Sequence, residues 1–290
     1  MNILVLGANG LVGTALRQAS AGAPDRYIFS DITAPRGCDT LYLDIADTDA
    51  VALICRSEKV DVVLNCAAFG DPAKPLADAA LCRQVNAEAP ERLAALCREA
   101  GMTLVHLSSD AVFGGDVPRP LREDFPVEPR GVYGATRWQG EQAVLASGCR
   151  CLVFRTSWLY APFGRNDMTA LLHQMAARPV LQVPFGRMGS PTSALDLASF
   201  LLDVVGGRKL DRTGLYHYSA EGLCSRYDFA CALRDISASA CSIVPGREER
   251  YGGPGGGCFI HLDKSRLKET FGVSLPHWYA ALKRCYEQSR

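Results

Sequence analysis

The chain has 290 residues, 48% hydrophobic and 21% charged, and its 31 basic and 31 acidic side chains leave a formal net charge of zero. That balance describes a globular protein with a large core, in one domain or two, and excludes a bulk field that would draw nucleic acid or an anionic membrane. No apolar run approaches the length of a membrane helix, and a strand starting almost at Met1 leaves no room for a signal peptide, so a cytoplasmic protein is expected.

Residues 3–6 form a short unbroken apolar run, the pattern of a strand buried on both faces of a parallel sheet. Gly7, Gly10 and Gly13 follow at intervals of three, and residues 14–19 read as a helix. This order suits a dinucleotide site. Gly7 permits the tight turn, Gly10 lets the backbone approach a pyrophosphate, Gly13 lets helix and sheet pack, and the first N–H groups of the helix meet the negative charge. Arg26–Asp31 reads as the second strand, and Asp31, 18 residues past Gly13, stands where a carboxylate accepts hydrogen bonds from an adenosine ribose. That position favours NAD over NADP, a preference softened by the nearby Arg36.

Residues 41–44 form a short third strand whose Asp44 reaches toward the adenine edge, Thr48–Ser57 is helical, and residues 61–68 are a fourth buried strand with small side chains at Ala67 and Ala68. Residues 76–100 are helical around Asn86, with Pro90 expected to break or restart the helix. A fifth strand, 102–107, ends in the polar Ser108-Ser109-Asp110; a sixth covers 151–156, and 194–205 is a helix that returns to the nucleotide side. Apolar strands alternating with helices predict an α/β protein with a Rossmann-type doubly wound parallel sheet and a smaller, interleaved α/β substrate domain. The expected division is 1–156 for the dinucleotide, with the returning helix near 193–206, and 157–290 mainly for substrate. Gly252 and Gly257 bound a glycine-rich stretch that reads as a flexible surface loop.

The twelve cysteines are scattered, with no Cys-x-x-Cys pair and only Cys149 and Cys151 close together. Buried reduced thiols are expected, with no metal site. Tyr133 and Arg137 are four apart and share one helical face, where a fixed cation favours phenolate and lowers the phenol toward neutrality. Ser109, on the facing strand end, is placed to hold a carbonyl.

With these features the sequence resembles the extended short-chain dehydrogenase/reductase superfamily and, within it, the dTDP-4-dehydrorhamnose reductase family, over almost the whole chain. Asn65-Cys66-Ala67-Ala68-Phe69 is similar to the family's Asn-x-Ala-Ala-Tyr, Val85-Asn86-Ala87 to its Val-Asn-Ala, and Ser108-Ser109-Asp110-Ala111-Val112-Phe113 to Ser-Thr-Asp-Tyr-Val-Phe. Tyr133-Gly134 with Gly140-Glu141 matches Tyr-Gly-x-x-Lys-x-x-Gly-Glu, and Arg155-Thr156-Ser157-Trp158, Gly189-Ser190-Pro191-Thr192 and Gly214-Leu215-Tyr216-His217 complete the series.

The resemblance implies a reductase that passes hydride from NADH or NADPH to C4 of a nucleotide-linked 4-keto-6-deoxy sugar. Ser109 would polarise the ketone, Tyr133 would donate the proton and Arg137 would tune it. Gly7, Asn9, Gly10, Leu11, Val12, Gly13, Asp31, Asp44, Ile45, Ala67 and Ala68, with Tyr133 and Arg137, would hold the dinucleotide. Asn86, Ser109, Trp158, Asn166, Arg187 and Thr192 would face the nucleotide-diphosphate sugar. Arg137 replaces the family's lysine, Ala111 its tyrosine and Gly186-Arg187 its Asp-Gln, while an expected Arg-Pro pair falls in the Gly256-Gly257 region. Two alternatives stay open: a cofactor-binding regulatory homologue without turnover, and another sugar-nucleotide reaction such as epimerisation. A homodimer also stays open.

Overall fold

Asn2–Leu6 (β1) is the inner strand from which the sheet grows in both directions, and its apolar residues are buried as that position requires. The computed structural model describes residues 1–33, 39–70, 78–114, 117–246 and 259–288. Arg36 and the Gly252 to Gly257 stretch, including the Gly256-Gly257 region, lie outside the described residues. The chain leaves β1 through Gly7 at φ +77°, a left-handed conformation that suits glycine, and enters a helix at Leu11–Ala19 (α1), earlier than the periodicity predicts. Gly13 is therefore inside the helix, where a Cβ would stand 2.4 Å from the Gly7 carbonyl oxygen.

Arg26–Asp31 (β2) and Leu41–Tyr42 (β3) follow, then Thr48–Ser57 (α2), whose first turn is capped by Asp47, and Val62–Asn65 (β4). β3 stops before Asp44, and β4 stops at Asn65, whose side chain accepts the Ala67 N–H at 3.1 Å and turns the chain out of the sheet. The expected helix over 76–100 is described from residue 78 and has three parts: Ala79–Arg83 (α3), one π-helical turn at Gln84–Glu88, and Ala89–Ala100 (α4). Pro90 occupies the first turn of α4, where its missing N–H costs little, and the widened turn before it keeps the helical run continuous.

Thr103–Ser109 (β5) carries the chain to the cleft, Gly131–Ala146 (α5) returns across it, and Arg150–Thr156 (β6) re-enters the sheet. Beyond come Leu159–Tyr160 (β7), Asp167–Ala177 (α6), Val180–Pro184 (β8), Met188–Gly189 (β9) and Thr192–Ser193 (β10). Ala194–Gly206 (α7) packs on α1, as expected of the returning helix. Gly214–Tyr218 (β11) precedes Cys224–Ser225 (β12), Arg226–Ser237 (α8), Ser242–Gly246 (β13), Ser265–Phe271 (α9) and Trp278–Glu287 (α10).

The main sheet runs β11-β6-β5-β4-β1-β2-β3, parallel throughout, so strand order reverses between β1 and β4. This is the doubly wound Rossmann-type arrangement, and ligands bind beyond the strands' carboxyl ends at such a reversal. The 157–290 stretch, expected mainly on the substrate side, also supplies β11, which joins this sheet. Aromatic packing draws it there: the Tyr216 ring stacks on Phe154 at 5.8 Å and the Tyr218 ring lies 4.9 Å from Phe200. A smaller α/β layer has its own core, with β8 paired to β13 and Tyr160, Met168, Phe229 and Leu233 buried among α6, α8 and α10.

Among the described residues ten cysteines carry free thiols, and no helix is long and apolar enough to cross a membrane. Two glycines set the depth of α5. A Cβ on Gly134 would lie 2.2 Å from the Ala111 carbonyl oxygen, and one on Gly140 would lie 2.1 Å from that of Asn86 in the π-turn. Both obstacles are backbone atoms, so α5 would have to retreat. Gly140→Ala is therefore expected to cost about 1–3 kcal/mol, read as a lower urea midpoint; an unchanged midpoint contradicts this packing.

Candidate active site

The glycine loop opens one end of a cleft of about 830 Å³. Gly10, Leu11 and Val12 line it, and α1 begins at Gly10 without a side-chain cap or an acidic residue in its first turn. Its leading N–H groups thus keep their capacity for an anion. A Cβ on Gly10 would meet only the Gly7 carbonyl oxygen, at an ordinary 3.4 Å. The protein's own packing does not demand glycine there, whereas close approach of a pyrophosphate does. Asp31 stands at the end of β2, but its carboxylate is engaged: Asn9 N–H donates to one oxygen at 3.0 Å, and the Thr33 N–H and hydroxyl donate to the other. Asp44 accepts from the Ala46 N–H at 2.9 Å, Ile45 is buried beside it, and Ala67 and Ala68 lie in the loop past β4.

The middle of the cleft is where β5 meets α5. Ser109, Asp110, Tyr133 and Arg137 all line it, because Gly134 lets the helix press onto the turn that follows Ser109. The Ser109 hydroxyl oxygen accepts the Ala111 N–H at 3.1 Å and donates to Asp110 Oδ1 at 3.2 Å. Burial lifts the Tyr133 phenol above its ordinary range; the Arg137 charge and a hydrogen bond from Ser109 oppose this only in part. The sequence reading had the opposite sign, since the cation is visible in the motif and the desolvation is not. Arg137 is buried and donates through Nη2 to the Leu107 carbonyl. Its Nε and Nη1 are buried without an acceptor among the described residues. Two orphaned donors beside Tyr133 fit the hydroxyls of a ribose, so the donor set agrees with a dinucleotide lying across the strand ends.

Beneath these groups lies a buried ionic cluster. Arg155 on β6 forms a two-pronged pair with Glu141 on α5, at 2.9 Å from Nε and 2.5 Å from Nη2, and both side chains are almost wholly inaccessible. Ser108 donates to the same carboxylate at 2.9 Å, and Arg155 Nη1 lies 3.3 Å from Nε2 of His217 on β11. Burial and the Arg155 charge push His217 down to about 3, which keeps the imidazole neutral.

On the far wall, Trp158 sits at φ +40°, its indole N–H donating to Asp167 at 2.6 Å, and Arg226 bridges to Asp167 at 3.1 Å. Arg165 and Arg187 also line this wall. Asn166 borders the cleft, yet its amide is fully used: the oxygen caps α6 through Met168 and Thr169, and the nitrogen donates to the Ala161 and Phe163 carbonyls. Two expected substrate contacts lie off the cleft. Asn86 is buried and brackets the Phe69 backbone, accepting its N–H at 2.9 Å and donating to its carbonyl at 2.8 Å. Thr192 is buried in β10 and donates to the Ser190 carbonyl at 3.2 Å. Their polar atoms stabilise the cleft's scaffold. Sequence reasoning missed Asp110, Arg165, Asp167 and Arg226 as cleft residues; Asp110 alone carried a signal, its place beside Ser109.

The family model described as RmlD substrate binding domain matches residues 1–290. A dTDP-4-dehydrorhamnose reductase of Escherichia coli is 30% identical, over 98% of this chain and 96% of the relative. The crystal structure of a dTDP-4-dehydrorhamnose reductase from Clostridium acetobutylicum superposes with a TM-score of 0.88 at 29% identity, covering 99% of both chains. One from Bacillus anthracis, solved in complex with NADP, gives a TM-score of 0.87 at 23% identity, covering 99% of this chain and 98% of that one.

Removing one member of the Glu141–Arg155 pair strands the other charge. Glu141→Gln is expected to cost about 3–5 kcal/mol in chemical denaturation. The double variant Glu141→Leu with Arg155→Met should lose less than either single variant, and a larger loss in the double would refute the stranded-charge account.

Proposed function

The chain belongs to the dTDP-4-dehydrorhamnose reductase family of extended short-chain dehydrogenases/reductases, and on that premise we propose that it reduces a nucleotide-linked 4-keto-6-deoxy sugar at C4 with NADH or NADPH. The observation that carries this reading is the convergence of the Ser109 and Tyr133 hydroxyls on one cleft with the orphaned Arg137 nitrogens. When bound, the nicotinamide supplies the hydride. The Ser109 hydroxyl holds the ketone oxygen, and the Tyr133 hydroxyl passes its proton to that oxygen as carbonyl becomes alkoxide. A phenol raised by burial keeps its proton until the alkoxide demands it, and the Arg137 cation stabilises the phenolate left behind. Solvent restores that proton.

The dinucleotide half comprises the main sheet with Gly7, Asn9, Gly10, Leu11, Val12, Gly13, Asp31, Asp44, Ile45, Ala67 and Ala68; Asp31 favours NADH. Its loop-bound carboxylate repels a 2'-phosphate as well as a free one does. On the opposite wall Trp158 offers a flat face to the sugar, and Arg165 and Arg187 offer positive charge to the diphosphate. Asn166 and Thr192 hold this wall in shape, and Asn86 holds the Phe69 loop on the side of the main sheet. The reaction belongs to the cytoplasm, in keeping with the free thiols.

Tyr133→Phe should lower kcat by about 10²–10⁴-fold with cofactor affinity retained, measured as NAD(P)H oxidation across a panel of nucleotide-linked ketosugars. Cofactor binding without oxidation of any ketosugar by the native chain would favour the regulatory homologue. Arg137→Lys should raise kcat, because a compact ammonium released from the Leu107 carbonyl reaches both ribose hydroxyls and the phenolate side; a fall would remove this role for Arg137.

A further inference from the structure

Ser109 has one proton to give and more than one claimant for it, with Asp110 and the Tyr133 phenol both within hydrogen-bond reach. Its hydroxyl oxygen is held by the Ala111 N–H, and its proton lies on Asp110 Oδ1. A ketone in the cleft needs the same proton. An ionised carboxylate only accepts, so it retains the hydroxyl, whereas a protonated carboxyl donates to the serine oxygen and turns the serine proton outward. We infer that Asp110 is a positioning residue whose protonation state decides whether the Ser109 hydroxyl is available to the substrate carbonyl. This rests on the reductase reading above.

The surroundings agree with that role. Asp110 lines the cleft between Ser109 and the Arg187 wall, with Tyr133 and Arg137 approaching from α5. Desolvation by the cleft walls pushes its carboxyl up to about 6, against the pull of Arg187 and of the Ser109 hydrogen bond. Burial raises the Tyr133 phenol, holds Cys66 up at about 12, and drives His106 and His217 well down. Of these groups, Asp110 is the one that titrates near 6. As pH rises through it, the carboxylate forms, Ser109 is captured and turnover falls. Arg187 favours the carboxylate, so removing its charge moves the fall to higher pH.

The test is kcat against pH, from about pH 5 to about pH 8, for the native chain, Asp110→Asn and Arg187→Gln, together with carbon-13 NMR of the aspartate carboxyls in the native chain and in Arg187→Gln. The native rate should fall at least about tenfold across the range. Asp110→Asn, whose amide donates to Ser109 at every pH, should give a flat profile, and Arg187→Gln should shift the fall upward. A native profile already flat, or the same fall in Asp110→Asn, overturns the inference while leaving the reductase reading intact. If the native chain oxidises NAD(P)H with no ketosugar at any pH, it is the reductase reading that fails. The Asp110 carboxyl resonance then decides: a midpoint in the ordinary carboxylate range overturns the inference, and a midpoint near 6 that rises in Arg187→Gln upholds the proton switch.

Discussion

The buried pair of Glu141 and Arg155 is the tie on which the rest of the cleft depends. It joins α5 to β6, and through Ser108 and His217 it engages β5 and β11, so one helix and three strands of the main sheet meet on one carboxylate and one guanidinium. Two charges withdrawn from water gain little net stability by attraction alone, since desolvation offsets most of it. Their value is directional. A two-pronged contact fixes the rotation of α5 about its axis, and that rotation brings Tyr133 and Arg137 over Ser109 instead of toward solvent.

Close approach supplies the remaining constraint. Rotation alone leaves a helix at whatever distance its side chains dictate, usually 8–10 Å between axes. Gly134 and Gly140 remove that spacer at two points, letting α5 touch the Ala111 and Asn86 carbonyls. The short reach from Tyr133 to Ser109, the desolvation of the phenol and the burial of Arg137 all follow. With no net charge on the chain, the cleft's electrostatics are local: α1's N-terminus at one end, the Arg165 and Arg187 side chains at the other, and Asp110 between them.

The fold was readable from the sequence because buried parallel strands and glycine turns leave strong local patterns, and β2 and α2 match their predicted bounds. Strand β11 escaped assignment to the main sheet, since its partner β6 lies some sixty residues back and an aromatic cluster, not a local signal, recruits it. At the site, Ser109, Tyr133 and Arg137 were legible as a motif, but the sign of the Tyr133 shift was not, because desolvation belongs to the assembled cleft. Asn86 and Asn166 looked like ligand contacts in sequence; only the count of their hydrogen bonds reveals two amides already consumed by backbone. Arg165 comes from the connection before α6 and Arg226 from the first position of α8, and neither cation carries a periodic signature.

The π-turn at Gln84–Glu88 has a consequence for how this helical run tolerates change in length. A π-turn holds one residue more than the α-helical turn it replaces, and each residue advances an α-helix by about 100°. Deleting a single residue there would let α3 and α4 merge into one regular helix, at the cost of swinging everything upstream by that angle relative to α4. Asn86 would leave the Phe69 backbone, and the carbonyl that receives Gly140 would point elsewhere. Insertions and deletions in this span are thus filtered by phase, not by stability alone: the smoother helix would be the one that no longer fits.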